Sequence, residues 1–332
     1  MPRRLRLATF NLESLDDRPG EGLSIAERAA VLRPQLLRLE ADVLCLQEVN
    51  GQHPPEDPRA PRRLLALERL LEGTPYEGFA QAATIGHDGV GVCDLHNLVI
   101  LSRFPIAERE QLRHELVPPP SWRMITASPP AAEAEPVTWD RPILRAAIDL
   151  GAGLRLHVIN LHLRAPLAAP VPGQKERAFA WRTVAGWAEG YFLASLKRAG
   201  QALEARLLVE RLLDADPGAL VIVCGDFNCV EREVPFEIIR GGEDHTGSGA
   251  LAVRAMVPLE HAIPEDLRFS VLHAGQKSML DHVLVSRPLF AWYRRAEIHN
   301  EALGDEVIGY ANVHRSPDSY HAPVVVELSV PD

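Results

Sequence analysis

The run Val221-Ile222-Val223-Cys224-Gly225-Asp226-Phe227-Asn228 constrains this chain more than any other stretch. Four apolar residues lead into a glycine, a carboxylate, an aromatic and an amide. Such a run reads as a buried strand that ends at a site. Strand side chains repeat with period two, so Asp226 and Asn228 share a side and Phe227 takes the other. Gly225 leaves room for close approach to the backbone. A carboxylate and an amide at a strand end can bind a hard cation, hold a water or grip a phosphate. The competing reading is a strand followed by an Asx-type turn.

The same arrangement recurs along the chain. Leu5 to Leu12 alternates as a strand does and carries Asn11 near its end. Asp42 to Val49 is a second buried strand, and its Glu48 needs a partner because a lone buried carboxylate is costly. Asn97 to Ile106 is a third apolar strand, stopped by Pro105. Ile143–Leu150 and Leu154–Leu163 read as two strands, and Gly151-Ala152-Gly153 between them suggests a hairpin. Asn160 and His162 share a face of the second. Leu280 to Ser286 carries Asp281 near its start, and His321 stands just before the last strand, Ala322 to Leu328.

Between these runs lie helical patterns: residues 23 to 39, capped near Ser24 and interrupted by Pro34; residues 62 to 72; and Lys175 to Leu213, with Gly186, Gly190 and Gly200 as expected breaks. Helices alternate with strands, which makes the chain α/β or α+β and not all-β. The proline-rich 50–61 and 117–136 segments read as loops.

Composition sets outer limits. With 46% hydrophobic and 24% charged residues, the chain is an ordinary globular one. The net charge of −10 counts mildly against a protein that wraps duplex DNA through many phosphate contacts. Cys45, Cys93, Cys224 and Cys229 show no paired zinc spacing. They read as thiols in a reducing compartment, so a cytoplasmic location is expected. The basic N-terminus lacks an apolar core of signal-peptide length, and no run of about 18 apolar residues exists. No membrane span and no obligatory protein partner are expected.

Seven segments, in order, resemble the endonuclease/exonuclease/phosphatase superfamily: Thr9-Phe10-Asn11-Leu12, Leu46-Gln47-Glu48-Val49, Ile100 to Ile106, Asn160-Leu161-His162-Leu163, Gly225-Asp226-Phe227-Asn228, Asp281 to Ser286 and His321-Ala322-Pro323-Val324. The resemblance implies an α+β fold, a four-layer sandwich of two packed mixed β-sheets with helices on both outer faces. It also implies one domain over residues 1–332, with insertions near 50–61, 117–136 and 165–200. The implied activity is divalent-metal-dependent hydrolysis of a phosphoester by activated water. A nuclease on DNA or RNA is the leading reading. A phosphatase or phosphodiesterase on a small or lipid phosphoester is the alternative, and a non-catalytic phospho-ligand or protein-binding relative is a second.

By resemblance, Glu48 is the principal Mg²⁺ or Mn²⁺ ligand with Asn11 beside it. Asp226 and Asn228 position the attacking water and the phosphate. Asp281 fixes the tautomer of His321, which serves in proton transfer or phosphate binding. His162 contacts the phosphate or protonates the leaving oxygen. Arg145 and Asn160 join Asn11 as substrate contacts. One departure stands out: the family's usual Ser-Asp-His reads Ser319-Tyr320-His321 here, and a neutral tyrosine is a poor Mg²⁺ ligand.

Overall fold

Period-two burial sorts the apolar strands into two sheets. The computed structural model describes residues 3–17, 23–87, 89–177, 180–308 and 316–331. The strands that build the sheets are β1 (Arg3–Leu15), β2 (Val43–Val49), β3 (Ala80–Ala83), β4 (Asn97–Ser102), β5 (Ile106–Leu112), β6 (Ile143–Gly151), β7 (Leu154–His162), β8 (Leu220–Asp226), β9 (Val257–Pro258), β10 (Asp281–Val285), β11 (Tyr293–Ile298) and β12 (Val324–Val330). One six-stranded sheet runs β11-β12-β1-β2-β4-β3, and the other runs β9-β10-β8-β7-β6-β5. Both are mixed. β1 is parallel to β2 and antiparallel to β12; β8 is parallel to β7 and antiparallel to β10.

Alternate residues of these strands meet between the sheets. Leu7, Val43, Cys45 and Ile100 come from one side, and Ala146, Val158, Ile222 and Val283 from the other. The intervening residues face outward onto helices. Ala8, Leu44 and Leu46 pack on Leu32 and Leu36 of α1 (Ile25–Leu39) and on Leu67 and Leu70 of α2 (Leu65–Leu71). Ile159, Val221 and Val223 pack on Ala205, Leu208 and Leu212 of α3 (Val184–Ala215) and on Phe236 and Ile239 of α4 (Val234–Arg240). The order helices, sheet, sheet, helices is the expected four-layer α+β sandwich.

Local chemistry accounts for the elements. Ser24 and Glu27 form a reciprocal capping box that starts α1, and Pro34 lies on its exposed face without ending it. The Gly151–Gly153 hairpin joins β6 to β7 as expected. α3 departs from expectation, because it runs unbroken through Gly186, Gly190 and Gly200. These glycines mark close approach. A Cβ at Gly200 would collide with the Trp139 ring, and one at Gly186 with the Gln174 side chain. Lys175–Arg177, expected in that helix, instead pairs with Ala180–Trp181 as a short hairpin. The proline-rich 117–136 stretch is tied to α3 by Glu189, which accepts from Trp122 Nε1 at 2.9 Å and from the Thr126 backbone N–H at 2.7 Å. No helix among the described residues is long and apolar enough to cross a membrane.

Candidate active site

Strand direction brings the polar residues together. Parallel neighbours end at one edge, and antiparallel neighbours begin there. Thus Asn11 and Glu48 close β1 and β2, and His162 and Asp226 close β7 and β8. Asp281 opens β10, and His321 precedes β12. In sheet register Asp226 sits beside both His162 and Asp281. All three follow the parity of the inter-sheet core, so they project into the cleft between the sheets. Glu48 is out of phase, since its parity matches Leu44 and Leu46, which face the helices. Its backbone adopts φ +57°, the ladder slips there, and the side chain turns to the cluster. Gly225, at φ +133°, passes so close to β7 that a Cβ would strike the Leu161 carbonyl oxygen.

The contacts form one network. Asn11 Nδ2 donates to Asp226 Oδ2 at 3.0 Å and to Glu48 Oε1 at 3.3 Å. Asn228 donates its backbone N–H to Asp226 Oδ1 at 2.8 Å and its amide Nδ2 to Asp226 Oδ2 at 2.9 Å. Asp281 Oδ2 lies 2.8 Å from His321 Nδ1. His162 Nε2 lies 3.3 Å from Asp226 Oδ2 and 3.7 Å from Glu48 Oε1. Ser14 donates both its N–H and its hydroxyl to Glu48 Oε2. The second oxygen of Asp281, Oδ1, is buried without a hydrogen-bond partner.

Burial and charge drive the titrating groups apart. Burial alone would raise the Glu48 carboxyl, but His96, His162 and Arg141 together hold it well below the carboxylate range. Burial, with Arg141 beside it, pushes His162 well down, against the raising pull of Glu48. Burial raises Asp226 to about 7, helped by Asp281 and Glu48 against the lowering pull of His321. Burial would lower His321, but Asp281, Asp226 and Glu48 lift it to about 10. A proton acceptor near neutrality therefore lies beside a charged imidazolium and an ionised carboxylate, the pattern acid–base chemistry needs.

Asn11, Glu48, His162, Asp226, Asn228, Asp281 and His321 thus converge. Two expected roles are corrected, those of Arg145 and Asn160. Arg145 has the opposite parity to the core residues Leu144 and Ala146, so it points to the outer face. It pairs there with Glu108 at 3.1 Å and Glu110 at 3.2 Å. Asn160 is fully buried and committed to protein, donating to the Leu46 and Val99 carbonyls and accepting from Gln47. It ties the two sheets together and leaves nothing for a substrate. Asn11 turns its NH₂ to Glu48, while its oxygen accepts from the Glu13 N–H at 2.8 Å. In this arrangement its NH₂ orients the carboxylates of Glu48 and Asp226.

Two residues escaped the sequence reading. Arg141, just before β6, is buried within electrostatic reach of Glu48 and Asp226. Its neighbour Asp140 pairs with Arg164 and with Lys197, the latter at 2.7 Å, which adds cationic side chains nearby. His96 immediately precedes β4 and lies 3.6 Å from Glu48. Both sit in irregular loops where strand periodicity is silent; their place next to a strand end was the one available signal. Tyr320 is buried, and its N–H donates to Glu13. Asp318 accepts from Gln35 of α1 and is not drawn into the cluster.

The donor set suits a divalent ion. Glu48 is ionised at neutral pH, Nδ1 of the adjacent His96 is buried without a hydrogen-bond partner, and Nε2 of His162 faces Glu48 and Asp226. Ligand atoms of these three residues lie within 4.8 Å of one another, as do those of Asp226, Asp281 and His321.

Residues 8–305 match the model of the endonuclease/exonuclease/phosphatase family. No curated protein matches the sequence. Among solved structures, an endonuclease/exonuclease/phosphatase family protein from Bacteroides thetaiotaomicron superposes with a TM-score of 0.57 at 17% identity, covering 100% of this chain and 96% of that one. Truncated Caenorhabditis elegans TDP2 gives 0.57 at 14% identity, covering 98% of each chain. The 3′ phosphatase NExo from Neisseria, bound to product DNA hairpin, gives 0.54 at 16% identity, covering 98% of this chain and 99% of that one.

Proposed function

Because the chain belongs to the endonuclease/exonuclease/phosphatase family, we propose that it is a divalent-metal-dependent phosphodiesterase acting on a nucleic-acid strand. We read residues 1–332 as one domain of that family, with the 50–61, 117–136 and 165–200 segments as insertions. The observation that carries the activity is the convergence of Glu48, Asp226, Asn228, Asp281 and His321 at one edge of the two sheets, with Asn11 bonded to both Glu48 and Asp226 and Asp281 bonded to His321.

Asp226 accepts a proton from water as the water oxygen bonds to phosphorus. The ester P–O bond breaks, and the departing oxygen takes a proton from His321. Asn11 and Asn228 hold the Asp226 carboxylate in place for this step. Asp281 keeps Nδ1 of His321 engaged, so the other nitrogen serves the substrate. Arg141 supplies positive charge where the phosphoryl oxygens gather. Glu48, His96 and His162 would hold the metal, which supplies Lewis acidity toward a phosphoryl oxygen.

The NExo neighbour, solved with DNA, supports the nucleic-acid reading, as do Arg141, Arg164 and Lys197 around the site. The net charge of −10 favours the competing reading, a small or lipid phosphoester. Because all four cysteines carry thiols, we place the protein in the cytoplasm.

The test is hydrolysis of bis-p-nitrophenyl phosphate, p-nitrophenyl phosphate and a single-stranded DNA oligonucleotide, with Mg²⁺, with Mn²⁺ and with EDTA. Turnover should need metal, favour the diesters, and disappear in Glu48→Gln and Asp226→Ala. Full activity in both variants would overturn the assignment. Cleavage of the small esters but not of DNA would transfer the reading to the small-substrate class.

A further inference from the structure

His96 occupies a costly conformation. Its backbone sits at φ +58°, where glycine is unstrained and a side chain is not. The chain clamps it there: the His96 N–H donates to Asn50 Oδ1 at 2.9 Å, and Asn50 Nδ2 donates to Asp16 at 3.0 Å. The clamp delivers the imidazole to the cluster. His96 Nδ1 lies 3.6 Å from Glu48 Oε2, and the ring meets His162 edge-on with centroids 6.1 Å apart. Glu48 next door is also left-handed, at φ +57°. Two adjacent ladder ends are thus strained to present one carboxylate and one imidazole to the same point.

The two imidazoles flank one carboxylate. His96 Nδ1 lies 3.6 Å from Oε2 of Glu48 and His162 Nε2 lies 3.7 Å from Oε1, and ligand atoms of the three residues lie within 4.8 Å of one another. His96 Nδ1, the nitrogen that faces Glu48, is buried without a hydrogen-bond partner, and the His162 ring is 2% exposed. Two imidazoles and one carboxylate with a position left open is a set that holds catalytic zinc. Imidazole favours first-row transition ions, whereas Mg²⁺ prefers oxygen donors and water.

We infer that His96 is a metal ligand and that Glu48, His96 and His162 form a nitrogen-containing site selective for a transition ion, Mn²⁺ or Zn²⁺, over Mg²⁺. This rests on the reading of the cluster as a metal-dependent phosphoesterase and names its ion.

The experiment is electron spin-echo spectroscopy of the full chain loaded with Mn²⁺, alongside competition titrations with Mg²⁺ and Zn²⁺. Directly bound imidazole should give nitrogen modulation in the wild type. Zn²⁺ should displace Mn²⁺ at lower concentration than Mg²⁺ does. His96→Gly suits the backbone and should fold; it should lose part of the modulation and bind Mn²⁺ about 10-fold or more weakly, with Mg²⁺ binding little changed. His96→Asn, which tolerates the same backbone, should behave alike. Mn²⁺ bound without nitrogen coupling, or an unchanged Mn²⁺-to-Mg²⁺ preference in both variants, would overturn the inference while leaving metal-dependent hydrolysis standing. If no divalent ion binds and none supports hydrolysis, the inference and the phosphoesterase reading fall together.

Discussion

Asp226 carries the least comfortable charge in the cleft. It is buried against Asp281 and Glu48, and its pKa of about 7 lies well above the ordinary aspartate value of about 3.9. A carboxyl raised on folding stabilises the fold while it is protonated. That contribution is whole below about pH 4 and is lost as pH rises toward about 7. Asp226→Asn keeps the shape and removes the ionisation, but its single oxygen can accept either from the Asn228 N–H or from the Asn11 and Asn228 amides, not from all three. In EDTA its melting temperature relative to wild type should therefore rise by at least about 2–4 °C between about pH 4 and pH 8, as wild type alone takes on the buried charge. Its hydrolysis should fall by about 10²–10⁴-fold. For the wild type, kcat/KM should rise with pH through an inflection near 7, as Asp226 ionises, and fall through one near 10, as His321 loses its proton. A melting-temperature difference that does not move with pH, or a flat profile over that range, would show that the charge is not what the site stores.

At the scale of elements, α3 matters most. It covers one outer face of the sandwich and sends Arg198 to the Asn228 carbonyl at 2.8 Å and Lys197 to Asp140. Its docking depends on Gly200 lying flat against Trp139, whose indole N–H donates to Glu204 at 2.7 Å. Gly200→Val would push helix and ring apart. Overpacking of this kind costs about 1–3 kcal/mol, measurable as a shift in urea midpoint. Gly200→Ala should cost less because it adds a single methyl. Equal stability of the two variants and wild type would mean that the helix can move away freely.

At the scale of the whole molecule, the two sheets are joined by a buried polar tie as well as by apolar packing. Asn160 of β7 reaches across to the Leu46 and Val99 carbonyls and to Gln47, all in the opposite sheet. Asn160→Leu would leave these groups unsatisfied in the interior, at about 1–3 kcal/mol. Activity per folded molecule should hold at low temperature, because no Asn160 atom is free for substrate. A large loss of kcat/KM in fully folded Asn160→Leu would return the residue to the chemistry.

The α/β character and most of the cleft were legible in the chain, since apolar runs read as buried strands and their polar ends marked Asn11, Glu48, His162, Asp226, Asn228, Asp281 and His321. The order of those segments resembles one superfamily, and that resemblance implied the four-layer sandwich. The sequence also held an unread correction: the parity of Arg145 against Leu144 and Ala146 directs that side chain away from the cleft. Other matters were decided only by the tertiary structure. Whether Asn160 ties sheets or touches substrate depends on what lies across the core, and no spacing records that. The glycines of α3 look like breaks until Trp139 and Gln174 are seen against them. Arg141 and His96 belong to loops, whose side chains are aimed by long-range contacts and carry no local period. The pKa values of Asp226 and His321 arise from charges brought together from distant strands, so they come into being only on folding.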